Sequence, residues 1–282
     1  MKYINKDIYK ELKIDCEKCF GFCCIALYFS KTDGFPEDKE PGKPCINLQS
    51  DFKCKVHKDL RKKGLKGCTT YDCFGAGQKV AQVTYEGHDW RESPEYSNKM
   101  YDVFIVMRQL HEMLWYLAEA YRLQKDEKMK EEICKMIDET ESLTKLDKDS
   151  IIKVDLVGHR FRVNKLLLNT SKGIRNKLNK KSKNRLRNRK MISGRLNLIG
   201  ADLKKVNLVG EDLSGALLIA SDLRGVNLSG TDLIGADLRD ADLRGANLRE
   251  SIFITQAQIN SAKGDISTVL PVSIVRPSHW IE

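Results

Sequence analysis

The stretch "SDLRGVNLSGTDLIGADLRDADLRGANLRE", Ser221 to Glu250, places a leucine at every fifth position: Leu223, Leu228, Leu233, Leu238, Leu243 and Leu248. A small residue stands two before each leucine, and Asp or Asn stands just before it. A period of five fits neither a helix, with 3.6 residues per turn, nor a strand, with two. It fits a chain that turns a corner every five residues and closes a square in four units. The leucine and the small residue then point inward, because a narrow tube has no room for two large side chains per face. The Asp or Asn points outward, and the fourth and fifth residues make the corner.

Working outward, the fives begin at Leu196 and end at Thr255, twelve units in all. Repetition of this kind is the sequence signature of a solenoid. Twelve units give about three stacked coils, which at ~4.8 Å per layer make a short column. The pattern resembles the pentapeptide-repeat family, and that resemblance implies a right-handed quadrilateral β-helix. Two units depart from it. "EDLSG" puts Glu211 at an inward position, where a carboxylate is costly unless paired. "ALLIA" puts Leu217 outward, beside Ile219. After the repeats, "TQAQINSAKG" reads as a capping helix: Thr255 and Gln258 have capping-box spacing, and Gly264 is placed to end it.

At the other end of the chain lies a cysteine cluster. Eight of the nine cysteines fall between Cys16 and Cys73. No secretion-signal stretch opens the sequence and no run is long enough to span a bilayer, so a cytoplasmic location is expected. In a reducing compartment such density favours metal ligation over disulfides. The candidate ligands are Cys16, Cys19, Cys23, Cys24, Cys45, Cys54, His57, Cys68 and Cys73, with Cys16 and Cys19 forming a C-x2-C knuckle. Thiolates of this kind hold zinc in a tetrahedron or an iron–sulfur cluster. Both cofactors stay open, zinc being preferred. The order "CEKCFGFCC", "CINL", "CKVH", "CTTYDC" resembles a cysteine-cluster family described as zinc- or iron-chelating and related to flagellin lysine methylases. His57 departs from it, standing where an aromatic is usual. The segment around the cluster is thinly supplied with apolar residues, so a metal staple is expected to rigidify it.

Between these ends the sequence reads as helical. Ser93, Pro94 and Glu95 have the form of a helix start. Met100, Phe104, Met107, His111, Leu114, Ala118 and Tyr121 then make one apolar stripe. Asp126 opens a second helix with Met129, Ile133, Met136 and Ile137 on one side, and a third is expected over Ser150 to Leu168. His111, Trp115 and Cys134 are read as packing residues. The fold class is therefore mixed: a Cys-rich metal-stapled domain (1–85), a helical region (86–170), a basic helix or linker (171–195), the β-helix (196–255) and a C-terminal cap and tail (256–282).

The net charge of +10 is uneven. Residues 171–195 carry eleven basic side chains and no acidic one, while 196–255 carries six basic and nine acidic. The basic stretch is a candidate nucleic-acid contact, although no aromatic residue offers a stacking platform there. No G-x-S-x-G or phosphate-binding G-x-x-x-x-G-K is present, and "GAG" at Gly75–Gly77 is read as a turn. The three segments together resemble oxetanocin A resistance-type pentapeptide-repeat proteins. The expected function is a non-enzymatic, metal-containing scaffold for a protein target, in antibiotic resistance or target protection. The alternatives are an iron–sulfur redox or metal-dependent enzyme and a nucleic-acid-binding protein.

Overall fold

The computed structural model describes residues 8–92, 97–178, 186 and 190–281. The helix start at Ser93, Pro94 and Glu95 lies outside them. The chain divides into two compact units, one of residues 1–121 and 125–166, the other of 122–124 and 167–282. No described helix is long and apolar enough to cross a membrane.

In the first unit, short helices carry the N-terminal segment: α1 (Ile8–Glu11), α2 (Phe22–Ala26), α3 (Lys66–Thr69) and α4 (Ala76–Lys79). Two long ones follow, α5 (Ser97–Leu123) and α6 (Glu127–Leu143). The expected stripe is the buried face of α5, from Met100 through Ala118, with Tyr121 half-buried. Asp126 caps α6 by accepting from the Met129 amide at 2.9 Å, and Ile133 and Ile137 face inward.

The N-terminal segment borrows part of its core from α5. Phe22, fully buried, stacks on Phe104 with ring centroids 5.5 Å apart. The Trp90 indole donates to the Phe20 carbonyl at 2.8 Å. A second cluster joins Phe29, Phe35, Cys45, Val56 and Leu65. Apolar packing thus supplies part of the rigidity of this thinly cored segment.

His111 is buried, with Nδ1 2.7 Å from the Phe74 carbonyl oxygen. Burial pushes its pKa down from 6.5 to about 4. An unfolded imidazole protonates near 6.5, so the native state gains full benefit above that pH and loses it as pH falls toward 4. The loss is on the order of 3 kcal/mol. Urea melts of the parent should weaken by about that much between pH 7 and pH 4, and His111→Leu should flatten this component. An equally steep dependence in the variant would remove His111 as its source.

The third expected helix is split. A 3-10 turn, Ile151–Lys153, precedes α7 (Leu156–Leu178). Val154 is extended, and the Asp155 carboxylate accepts from the Gly158 amide at 2.9 Å, which starts the helix anew. The helix also runs ten residues past the expected end, into the basic stretch.

In the second unit, a two-residue hairpin of β1 (Met191–Ile192) and β2 (Arg195–Leu196) leads into the repeats. Parallel bridges there join residues twenty apart: Asp202 to Asp222, Asp222 to Asp242, Asn227 to Asn247 and Asp232 to Ile252. Twenty residues are four units of five, so each coil has four sides, fitting a β-helix in outline. Leu203, Leu223 and Leu243 are fully buried in register, as are Leu208, Leu228 and Leu248 to within 1 %. The Asp and Asn residues point outward and also fold the corner. Each accepts from the amide two residues on, as Asp222 does from Arg224 at 3.2 Å and Asn247 from Arg249 at 3.1 Å. That turn is an Asx-type turn, for which Asp and Asn are suited.

Most corners end on glycine, but Ala220 takes the same position with φ 53°. An L residue there is strained, by ~1–2 kcal/mol. Ala220→Gly relieves the strain while loosening the unfolded chain, so a net gain of about 0.5 kcal/mol is expected in thermal melts. A loss of stability would contradict this reading of the corner.

The last turns of α7 lie along one side of the column. Ser171 donates to the buried Asp232 carboxylate at 2.5 Å, and Arg175 pairs with Asp212. Glu211, at the inward position of its unit, is buried. At the C-terminal end, α8 (Gln256–Ser261) has the expected capping box at Thr255. Gln258 also donates to the Leu233 and Ala236 carbonyls, both at 2.8 Å, closing off exposed backbone acceptors. The helix stops at Ser261, before Gly264. A Cβ on Gly264 would lie 2.4 Å from the Trp280 ring, so this glycine makes room for the indole. Lys263 and Val269 then bridge to Asp242 and Asn247, and the tail stacks on the last coil.

Candidate metal centre

Each cysteine of the cluster is set by a local turn. Asp15 accepts from the Glu17 amide and starts a 3-10 turn at Cys16, with Cys19 just beyond it. Gly21, at φ 65°, reverses the chain into α2, which carries Cys23 and Cys24. The Cys45 amide donates to the Cys24 carbonyl at 2.9 Å. Cys54 bridges to Leu48 across a tight loop. Cys68 sits on α3, and Cys73 precedes the turn into α4.

These turns gather seven of the eight clustered thiols around one cavity of about 450 Å³, with His57 and Tyr71 also in its wall. Cys45 is not in the wall. It lies in the Phe29 cluster, where the Asn47 amide donates to its sulfur at 3.5 Å. Within the cavity, Cys16 Sγ stands 3.9 Å from His57 Nε2, and Cys23 Sγ 4.0 Å from Cys24 Sγ. Among the described residues, no three His, Cys, Asp or Glu side chains are already grouped closely enough to hold one ion. Cys134, the ninth cysteine, lies apart on α6.

Burial raises most of these thiols. Cys16 is pushed up to about 11, and Cys19 and Cys68 to about 12. Burial also raises Cys45, Cys54 and Cys73. The contact between Cys23 and Cys24 raises the first and lowers the second. The raised thiols are protonated at neutral pH, and a metal would have to deprotonate them.

Two further features of the site have no signal in the sequence. The Tyr71 hydroxyl is buried with no hydrogen-bond partner, and its pKa is raised by burial and by the charges of Cys23 and Cys73. An orphan donor of this kind costs about 1–3 kcal/mol. A thiolate created beside it by metal binding would satisfy it, so the donor set and its surroundings fit a thiolate-bound metal. The second feature is Gly77, whose added Cβ would lie 2.5 Å from Cys19 Sγ. "GAG" is therefore more than a turn: its last glycine admits the sulfur. Neither feature has a motif in the sequence, since both depend on the folded approach of distant residues.

Comparison with known proteins bears on the whole chain. Pentapeptide repeats are matched in eight copies over residues 197–233 and 212–249. The uncharacterized protein YybG of Bacillus subtilis (strain 168) is 55 % identical over 277 residues, which cover 98 % of this chain and 98 % of that protein. The chain belongs to the YybG family. The match spans nearly the whole chain and not the repeats alone.

Two further candidate surfaces were read from the charge pattern, the basic stretch and the column face. Of the basic stretch, residues 179–185 and 187–189 lie outside the described residues. Arg175 is turned onto Asp212, and Arg195 donates to the Gly215 and Gly235 carbonyls at 2.5 and 3.3 Å. On the column, Asp222 and Asp242 are engaged by Lys204, Arg224 and Arg244. These partners hold both carboxyls below their ordinary range.

Proposed function

We propose that this chain is a metal-containing pentapeptide-repeat scaffold, with thiols of the N-terminal cluster holding zinc and the faces of the column docking a protein target. We further infer that the four-sided coil is a closed, right-handed quadrilateral β-helix. The repeats support a protein-interaction role in general terms. The observation that carries the metal reading is the gathering of seven thiols and an orphan tyrosine hydroxyl at one cavity. Cys23 and Cys73 act on Tyr71, and Cys24 stands 4.0 Å from Cys23; these three are the proposed inner ligands, with Cys16, Cys19, Cys54, Cys68 and His57 completing the choice. Zinc there would act by cross-linking loops that are otherwise joined only by packing. The setting implied by the family resemblance is antibiotic resistance or target protection in the cytoplasm.

DNA mimicry is disfavoured, because the stacked carboxylates are neutralised by basic side chains of the same face. The second reading is an iron–sulfur redox protein, which the number of thiols at the cavity favours. One experiment separates the two. Protein purified without oxygen is examined by elemental analysis and visible absorption. Bound zinc in colourless protein supports the scaffold, whereas iron with inorganic sulfide and a brown colour supports the cluster. Protein free of both metals overturns both.

A further inference from the structure

Helix α7 carries apolar side chains on two sides. Val163, Leu166 and Leu167 are buried on one of them, as a surface helix requires. On the other, Val157, Phe161 and Leu168 stand in water, 82 %, 73 % and 56 % exposed. At 3.6 residues per turn their directions fall within an arc of about 40°. Single apolar side chains on a surface are ordinary, whereas an aromatic and two aliphatics on one line mark a contact.

The line is set in positive charge. Helix α7 has six basic side chains and no acidic one, and the sequence stays free of acidic residues as far as Arg195. Arg160, Arg162 and Arg175 are taken up by Glu112, Glu139 and Asp212. Lys165 and Lys172 are exposed, with no carboxylate partner among the described residues. Both point within about 40° of Phe161. Asp155, just before the helix, is engaged by the Gly158 amide.

We infer that this face of α7 lies against an anionic lipid surface, with Val157, Phe161 and Leu168 entering the headgroup boundary and Lys165 and Lys172 meeting the phosphates. A helix with this composition rests in the plane of the interface and does not cross it. Charge complementarity selects the occupant. A second copy would set one basic helix against another and be repelled. A nucleic acid would take the lysines but offers nothing to the aliphatic pair. Protein anchors fill pockets, whereas these three side chains form a convex ridge, around which lipid headgroups can part. The inference is independent of the metal reading.

The test uses the full chain and vesicles of phosphatidylglycerol with phosphatidylcholine, or of phosphatidylcholine alone, read by co-sedimentation. The parent should bind the anionic vesicles and not the neutral ones, and high salt should weaken the binding. Phe161→Gln/Leu168→Gln keeps helix propensity and charge, so its far-ultraviolet circular dichroism and melting should match the parent. Its affinity for the anionic vesicles should fall about tenfold. Lys165→Gln/Lys172→Gln should also lose about tenfold at low salt, and much less at high salt. A parent that ignores anionic vesicles overturns the inference. So does equal binding by the Phe161/Leu168 variant, which would leave the basic residues after the helix as the whole cause. Tighter binding to duplex DNA than to the vesicles, unchanged in that variant, would make nucleic acid the occupant. Dimerisation of the parent that the variant abolishes, seen by ultracentrifugation without lipid, would make it a second copy. Either result contradicts the lipid assignment.

Discussion

Replacing Cys16 and Cys19 together by serine is expected to strip bound metal and lower the melting temperature of the first unit by about 10 °C. The pair brackets the 3-10 turn that delivers one side of the cavity. Losing it removes two soft ligands, and serine hydroxyls do not replace thiolates on zinc or a cluster. The unit is not expected to unfold outright at 25 °C, because Phe22 remains stacked on Phe104 and the Phe29 cluster is untouched. The measurement is metal content alongside calorimetry, repeated on chelator-treated parent. The treated parent should melt near the variant. Unchanged metal content and unchanged melting would show that neither cysteine is a ligand.

A larger effect is expected in the column. Leu223 is fully buried between Leu203 and Leu243, which are fully buried themselves. Leu223→Asp leaves a cavity and also places a carboxylate where nothing can pair with it. Loss of the leucine alone costs about 2–5 kcal/mol, and the buried charge adds several more. The expected result is loss of the column's cooperative transition. Arg224→Ala, one residue away, removes an exposed ion pair with Asp222 and should cost less than about 1 kcal/mol. Similar melting of the two variants would mean that the leucines do not fill the interior.

The column was the most legible part of the sequence, for a physical reason. The units repeat one local problem, a large inward residue, a smaller one and a corner, and ten of the twelve fold that corner with an Asx turn. Twelve solutions in register leave little doubt about which side faces in. The amphipathic stripe of α5 was readable on the same ground, since Met100 to Ala118 obeys one period. The break at Val154 was not, because one extended residue and the Asp155 cap decide it within an otherwise continuous pattern. Nor was the seat of α7 on the column, where Ser171 and Asp232 meet across sixty residues of sequence.

At the candidate site, spacing identified the residue types and fell short of their grouping. Cys45 looked like its neighbours in the sequence, yet apolar packing with Phe29 and Val56 draws it out of the cavity wall. Tyr71 sat inside "CTTYDC" without attracting notice, because a tyrosine becomes informative only when its hydroxyl is found buried and unpaired.

The most direct test is anomalous diffraction from crystals grown without oxygen, recorded at the zinc and iron edges. The account predicts a peak inside the cavity, within bonding distance of at least three of its thiols, with the Tyr71 hydroxyl turned to a ligating sulfur. A map with no peak there, and the same sulfurs joined as disulfides or left as free thiols, would contradict it.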